Sequence, residues 1–178
     1  MKCKACRVQF VRVSAWQTHC RAEKCAVAAL EAAKAKRLKA EAQAHRVALA
    51  GCKPLSHWHT RTQVAVNSLI QSRDMGKPCI SCNTTTTVQW EAGHWLSRGA
   101  HPELRYDLAN INLQCHRCNV QLSGNQAAYR IGLVARIGLA QVERLEGPQP
   151  TVKHTRESLA MLRQWAYAEK RRIQRENG

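Results

Sequence analysis

The chain has 178 residues and carries 28 Lys and Arg against 12 Asp and Glu, which gives a formal net charge of +16. Only 34 residues are Leu, Ile, Val or Phe, and this composition excludes a large, well-filled hydrophobic core. Nine Cys and eight His are therefore the candidates for holding a compact domain together, as disulfides or as metal ligands.

The cysteines favour metal ligands over disulfides. The first six residues read Met-Lys-Cys-Lys-Ala-Cys, and no apolar stretch of the kind found in secretory signals follows them. No segment approaches the ~18 apolar residues of a membrane span. We therefore expect a cytoplasmic protein with reduced thiols and no membrane association. The positive charge predicts nucleic acid as the partner, because phosphate contacts by Lys and Arg dominate such binding.

The N-terminal segment, residues 1–25, is predicted to form a small zinc knuckle. Its four thiols and its histidine are Cys3, Cys6, Cys20, Cys25 and His19. The four thiols suit one tetrahedral Zn²⁺, with His19 as a fifth candidate ligand. The alternative is a set of unrelated buried thiols. The apolar residues from Val8 to Val13 predict a short hairpin between the pairs.

Two helices are predicted next. Residues 26–53 form a predicted basic, Ala-rich helical linker, in which we expect one exposed helix from Ala26 to about Ala50, about 37 Å long at 1.5 Å per residue. This helix serves either as a solvated linker or as an arm on DNA phosphates. A second helix is expected from Ser56 to Arg73. Its predicted apolar face comprises Trp58, Val64, Ala65, Leu69 and Ile70.

Residues 54–147 are predicted to form the main domain, in which two Cys-x-x-Cys pairs close a second zinc site. Its ligands would be Cys79, Cys82, Cys115 and Cys118. Because four thiolates leave no open position, this zinc is expected to be structural. A strand is predicted over Val88–Glu91, and helices over Asn125–Ile137 and Leu139–Leu145.

The C-terminal segment, residues 148–178, is predicted to form a final helix. Pro148 and Pro150 mark the linker, and Thr155 offers a cap for the helix. Its predicted apolar stripe comprises Leu159, Leu162, Trp165 and Ala166. This stripe either closes the core or mediates dimerisation.

Three polar residues surround the second cysteine pair in a pattern suited to phosphodiester hydrolysis. His94 follows the predicted strand, Asn110 lies five residues before Cys115, and Asn119 directly follows Cys118. A neutral His can take a proton from water, and an Asn oxygen suits a hard divalent ion such as Mg²⁺. The amide of Asn110 is suited to holding the loop and orienting the His94 ring.

Several segments of the chain resemble the phage recombination nucleases of the NinG/Rap family. They read Cys79-Ile80-Ser81-Cys82, Gln89-Trp90-Glu91-Ala92-Gly93-His94, Pro102-Glu103-Leu104-Arg105-Tyr106, Asn110-Ile111-Asn112-Leu113-Gln114-Cys115, Cys118-Asn119, Ser123-Gly124-Asn125 and Tyr129-Arg130. The trio of His94, Asn110 and Asn119 is similar to the HNH, or ββα-metal, nuclease pattern in its endonuclease VII variant, which ends in Asn.

The resemblance implies an α+β fold, with a small zinc-stapled ββα-metal core surrounded by helices. It also implies a metal-dependent endonuclease that cuts branched recombination intermediates, such as Holliday junctions and D-loops. The expected cofactors are two structural Zn²⁺ ions and a catalytic Mg²⁺ or Mn²⁺. The expected partners are branched DNA, recombination proteins and a second copy of the chain, since cutting two strands needs two active sites.

One departure from the endonuclease VII variant concerns the catalytic metal. That variant has an Asp directly before the His, whereas this chain has Gly93. The nearest acid is Glu91, which either joins Asn119 as a metal ligand or supports the metal from outside its coordination sphere. His101 is a further candidate for a metal or phosphate contact. The predicted DNA-binding residues are Arg98, Arg105, Arg117 and Arg130.

Two other functions remain open at this stage. A zinc-containing DNA-binding module without activity would explain the charge and both cysteine sets, but not the positions of His94, Asn110 and Asn119. An HNH nickase acting on ordinary duplex DNA would explain all of these features. Only the family resemblance favours branched DNA over duplex DNA.

Overall fold

The computed structural model describes residues 1–177, which are mostly helical with a small two-stranded antiparallel sheet. The helices are α1 (Glu23–Gly51), α2 (Leu55–Arg73), α3 (Gln126–Ile137), α4 (Leu139–Glu146) and α5 (Arg156–Glu176). The strands are β1 (Trp90–His94) and β2 (Ile111–Cys115); a 3₁₀ turn covers Pro102–Leu104 and a π-helical turn covers Arg117–Gln121. None of the described helices is long and apolar enough to cross a membrane.

The chain divides into two compact units, Met1–Lys53 and a second that begins at Pro54. In the first unit, α1 begins at Glu23 and therefore includes Cys25, three residues earlier than the predicted start. The hairpin predicted around Val8–Val13 is wrong. This segment forms one isolated bridge, between Lys2 and Gln9, and its valines are exposed, because the unit has no sheet against which to bury them.

Two apolar clusters fill the second unit. One lies between α2, α5 and the sheet, and comprises Ala65, Val66, Leu69, Ile70, Ile111 and Ala166. The other lies under α3 and α4, and comprises Ile80, Trp95, Leu104, Tyr129, Leu133, Val142 and Leu145. The predicted inward positions of Val64 and Trp165 are wrong, since both side chains are exposed. Helix α5 packs on the face of α2 that carries Val66, two residues along from Val64.

The sheet places His94 at the end of β1, where it pairs with Ile111 of β2. Pairing begins with Trp90 opposite Cys115, so the predicted strand over Val88–Glu91 starts two residues too early and ends three residues too early. Val88 is almost fully exposed, because no strand lies opposite it. The register brings His94 next to the residues that precede the second cysteine pair.

A buried carboxylate ties the end of α2 to the sheet. Asp74 accepts hydrogen bonds from the guanidinium of Arg73 (2.9 and 2.6 Å), the ammonium of Lys77 (2.9 Å) and the backbone N–H of Leu113 (3.1 Å). Burial alone would raise the pKa of Asp74, but hydrogen bonds and charge, chiefly from Arg73, lower it below its ordinary value. Asp74 therefore remains ionised and holds α2 beside β2.

Gly132 allows α3 to approach the first cysteine turn closely, which gives a testable prediction. A Cβ at this position would overlap the backbone oxygen of Ile80. Gly132→Ala is expected to lower the free energy of unfolding by about 1–3 kcal/mol, although Ala favours helix over Gly by about 1 kcal/mol. Thermal melting would measure this change. Gly99→Ala, with open space around the added methyl group, is the control and should have little effect. A stabilised Gly132→Ala would contradict the close approach.

Candidate functional site

Four cysteines of the second unit come together between the two strands and α3. The ligand sulfurs of Cys79, Cys82, Cys115 and Cys118 all lie within 4.8 Å of one another. The sulfurs of Cys82 and Cys115 are 3.7 Å apart, close to the edge of about 3.8 Å expected for a tetrahedron with Zn–S bonds of ~2.3 Å. The N–H of Cys115 points at the Cys79 sulfur (3.3 Å), as suits a thiolate. The cluster is compatible with a structural zinc site.

The first unit contains a second cluster of the same kind. The sulfurs of Cys3, Cys6, Cys20 and Cys25 also lie within 4.8 Å of one another. Those of Cys6 and Cys20 are 3.7 Å apart, and the N–H of Cys20 points at the sulfur of Cys3 (3.3 Å). His19 bonds through Nδ1 to the hydroxyl of Thr18 and is not part of the cluster. This cluster is also compatible with structural zinc.

The thiols of each cluster lie so close together that their thiolate forms would repel one another without a bound cation. Burial, together with hydrogen bonds that the Cys118 thiol donates to the sulfurs of Cys82 and Cys115, raises the pKa of Cys118 to about 12. Hydrogen bonds that the Cys25 thiol donates to the sulfurs of Cys20 and Cys6 raise its pKa to about 12. Each cluster also holds a thiol shifted the other way: although burial opposes the change, backbone hydrogen bonds lower the pKa of Cys3 to about 6 and also lower that of Cys79. All four sulfurs of a cluster become thiolates together only when a cation offsets their repulsion. The sulfur donors and tetrahedral spacing fit Zn²⁺ better than Mg²⁺ or Ca²⁺.

A polar cleft of about 360 Å³ lies at the end of β1. It is lined by Asn67, Glu91, Ala92, His94, Ser97, Arg98, Asn119, Ser123, Gly124 and Gln126. Four residues chosen from the sequence, His94, Asn119, Glu91 and Arg98, therefore share one cleft. It differs from the larger, more apolar cavity between Cys79 and α3 by its concentration of groups that can bind a phosphate or a metal ion.

The ring of His94 has a defined orientation and protonation. Its Nε2 lies 3.1 Å from the backbone oxygen of Arg105. Because a carbonyl oxygen only accepts, Nε2 carries the hydrogen of the neutral ring and Nδ1 keeps its lone pair. Burial lowers the pKa of His94, and the charges of Arg98 and Arg105 lower it further, against the opposing effect of the Arg105 carbonyl. His94 is thus neutral at neutral pH and can accept a proton at Nδ1.

Asn110 lies outside the cleft and supports the loop between the strands. Its side chain is fully buried; Oδ1 accepts from the N–H of Leu96 (2.8 Å), and Nδ2 donates to the carbonyls of Leu96 (2.9 Å) and Leu104 (3.2 Å). Leu104 directly precedes Arg105, whose carbonyl holds His94. Asn110 therefore acts on the ring through the loop backbone and does not touch it.

The two candidate metal ligands lie on different elements. Asn119 lies on the π-helical turn that follows β2, directly after Cys118. Glu91 lies in β1, and its Oε1 is 3.4 Å from Nδ1 of His116. His101 pairs with Glu103 (3.2 Å) and does not line the cleft. Asn67 of α2 also lines the cleft. The sequence did not predict this, because Asn67 lies far along the chain from the motif residues and belongs to no motif of its own.

The arginines predicted to contact DNA differ in their surroundings. Arg98 lines the cleft, and Arg117 is exposed on the π-helical turn. Arg105 donates through Nε to Gln63 (3.0 Å). Arg130 makes two hydrogen bonds to Glu146 (2.8 and 2.9 Å). Because the carboxylate of Glu146 already pairs with the charge of Arg130, Arg98 and Arg117 are the better candidates for phosphate contacts.

Comparison with known proteins gives consistent matches to one family. The family model described as the bacteriophage lambda NinG protein matches residues 1–176. The ninG protein of Salmonella phage P22 is 43% identical over 111 residues, 62% of this chain and 55% of that protein. That of Escherichia phage 933W is 38% identical over 159 residues, 82% of this chain and 79% of that protein.

The ninG protein of Escherichia phage lambda is 47% identical over 94 residues, 53% of this chain and 46% of that protein. The matched stretch thus spans about half the length of the P22 and lambda relatives. No solved structure matches the chain.

Proposed function

Because the chain belongs to the family of the bacteriophage lambda NinG protein, we propose that it is a metal-dependent DNA endonuclease of the HNH type. Its proposed substrates are branched recombination intermediates, such as Holliday junctions and D-loops. The observation that carries the proposal is His94, a neutral ring whose Nε2 is held by a carbonyl, in the same cleft as Asn119. That arrangement supplies a general base beside a potential metal ligand.

The arrangement of the sheet and the following turn supports a ββα-metal core. Strands β1 and β2 pair in antiparallel fashion, and the π-helical turn that carries Asn119 follows β2 directly. The cysteine cluster holds the start of that turn against the loop before β1. A structural zinc in this cluster would fix the turn and the loop to each other, and would keep His94 and Asn119 in one cleft.

In the proposed reaction, Nδ1 of His94 takes a proton from the water that attacks the phosphorus atom. Arg98, which also lines the cleft, is suited to holding a phosphate oxygen. A Mg²⁺ or Mn²⁺ held by Asn119, with Glu91 as a second candidate, would supply positive charge for the phosphate and the leaving oxygen. Asn110 keeps the loop closed, so that the Arg105 carbonyl continues to orient the ring.

The preference for branched DNA rests on family membership, and a competition experiment tests it. Cleavage of a labelled four-way junction would be measured in the presence of excess unlabelled linear duplex of the same sequence. We expect junction cleavage to persist. Loss of junction cleavage in proportion to the added duplex would instead support a nickase for ordinary duplex DNA.

The proposed homodimer would be tested in parallel by sedimentation of the free protein and of its junction complex.

The electrostatic environment of His94 predicts the pH dependence of cleavage. A general base works when unprotonated, and burial lowers the pKa of His94 below its ordinary value of 6.5. The acid limb of kcat/KM is therefore expected below pH 6.5. Arg98→Gln removes one charge that lowers this pKa, so the limb should move to higher pH, whereas Arg117→Gln should leave it in place. An acid limb above pH 6.5 in the unmodified protein would contradict His94 as the base.

A further inference from the structure

Gln114 of β2 has a buried side chain with one unsatisfied atom. Its Nε2 donates to the hydroxyl of Ser81 (2.7 Å) and to the carbonyl of Gly124 (2.6 Å). Those bonds fix the orientation of the amide, because only nitrogen can donate to the Gly124 carbonyl. The amide oxygen, Oε1, is buried and has no hydrogen-bond partner among the described residues 1–177. A buried acceptor without a partner is rare and calls for an explanation.

That oxygen occupies the space that a side chain at Gly93 would take. A Cβ built on Gly93 would overlap Gln114 Oε1 and would lie 3.1 Å from Oδ1 of Asn119. Two side-chain oxygens thus converge on the same small space beside His94. Neither oxygen can donate a hydrogen bond to the other. A cation, or a water molecule that donates to both, is what such a pair of acceptors can hold.

We propose that Gln114 Oε1 is a ligand of the catalytic divalent cation, together with Asn119. In this arrangement Gln114 replaces the carboxylate that the endonuclease VII variant carries directly before its His. The absence of a side chain at Gly93 is then a requirement, because any larger residue would displace Oε1. This inference rests on the proposed function and adds a residue to its metal site.

The proposal explains two features together. It accounts for Gly93, which stands where the endonuclease VII variant has an Asp, and for the buried amide oxygen that points into the same place. Amide oxygens are neutral ligands, so the site would hold Mg²⁺ or Mn²⁺ with water and substrate phosphate completing the coordination sphere. Such a site is expected to bind the ion weakly without DNA.

The test measures Mn²⁺ binding directly, by the loss of the free-ion electron paramagnetic resonance signal, in protein already loaded with zinc. Gln114→Ala and Gln114→Met are expected to weaken Mn²⁺ binding at least tenfold, with the zinc content unchanged. The Met variant keeps most of the side-chain volume and guards against simple loss of packing. Ser81→Ala is the matched control, because it removes an anchor of Gln114 but leaves the oxygen. It should weaken binding less than either Gln114 variant.

A double variant tests whether the metal ligand must lie in the space between Gly93 and Gln114, whichever residue supplies it. In Gly93→Asp/Gln114→Ala, a carboxylate enters the space that Oε1 vacates, and Mn²⁺ binding should return to at least the unmodified level. Gly93→Asp alone should bind Mn²⁺ less well than the double variant, because Gln114 then occupies the same space. Failure of the double variant to regain binding would overturn the assignment.

The outcomes separate this inference from the proposed function. If Gln114→Ala and Gln114→Met bind Mn²⁺ as tightly as the unmodified protein, Gln114 is not a metal ligand, whether or not the protein cleaves DNA. The same conclusion follows if Ser81→Ala weakens Mn²⁺ binding as much as the Gln114 variants do. If the unmodified protein binds no Mn²⁺, the inference also fails. If binding depends on Gln114 but no branched DNA is cut, the proposed function fails and the metal assignment stands.

Discussion

His94→Ala is expected to lower the rate of junction cleavage by about 10²–10⁴-fold, the range over which a positioned general base contributes. The physical reason is that Nδ1 of His94 is the acceptor for the proton of the attacking water, and its Nε2 is already held by the Arg105 carbonyl. Single-turnover cleavage of a four-way junction would measure the change. DNA affinity and zinc content should remain unchanged, because His94 belongs to neither cysteine cluster.

His101→Ala is the matched control for this substitution. His101 lies seven residues further along, pairs with Glu103 and does not line the cleft. Its loss should change the cleavage rate less than threefold, a modest effect that fits a residue outside the reacting groups. Equal rates for His94→Ala and the unmodified protein would remove His94 from the mechanism. A protein that binds DNA but cuts nothing would be the non-catalytic binder.

Cys118→Ser is expected to release one of two zinc ions and to unfold the second unit. Structural zinc contributes apparent binding free energies of about 10–16 kcal/mol, which equals or exceeds the stability of about 5–15 kcal/mol of a typical domain. Helices α3 and α4 pack against the loop that carries Ile80, which the cluster holds in place. Zinc content by atomic emission and unfolding by circular dichroism would measure the two effects. Cleavage should be lost with the fold.

Two further cysteine variants make the prediction specific. Cys6→Ser removes a ligand of the first unit, so it should also release one zinc ion, but the melting transition of the second unit should remain. Cys52→Ser changes an exposed cysteine outside both clusters, and it should retain both zinc ions and the full cleavage rate. A Cys118→Ser protein that still melts cooperatively with two zinc ions bound would contradict a structural role for the cluster.

Spacing along the chain was sufficient to predict the two cysteine clusters. A Cys-x-x-Cys turn presents both sulfurs on one side by its local geometry, so pairs such as Cys79 with Cys82 and Cys115 with Cys118 need only be brought together. Their convergence is present in the structure. The start of the final helix was also predictable from local sequence, because Thr155 and Ser158 cap it through reciprocal hydrogen bonds.

Features set by tertiary packing were not available from the sequence. Several consecutive positions of α2 are apolar, and only the position of α5 decides that Val66 is buried and Val64 exposed. The engagement of Arg130 by Glu146 joins residues sixteen positions apart on different helices. The contacts of Gln114 could not be predicted from the sequence either. Although Gln114 belongs to the matched motif, nothing local shows that its amide oxygen lies in the space left by Gly93.

The central claim, that the cleft catalyses metal-dependent DNA cleavage, is tested most directly by one assay. Zinc-loaded protein would be incubated with a four-way junction, a D-loop and a linear duplex, with Mg²⁺ or with EDTA added too briefly to strip the zinc. We predict Mg²⁺-dependent cleavage of the two branched substrates that EDTA stops and that His94→Ala slows by about 10²–10⁴-fold. Binding of all three DNAs without cleavage of any, with Mg²⁺ and with Mn²⁺, would contradict the nuclease assignment.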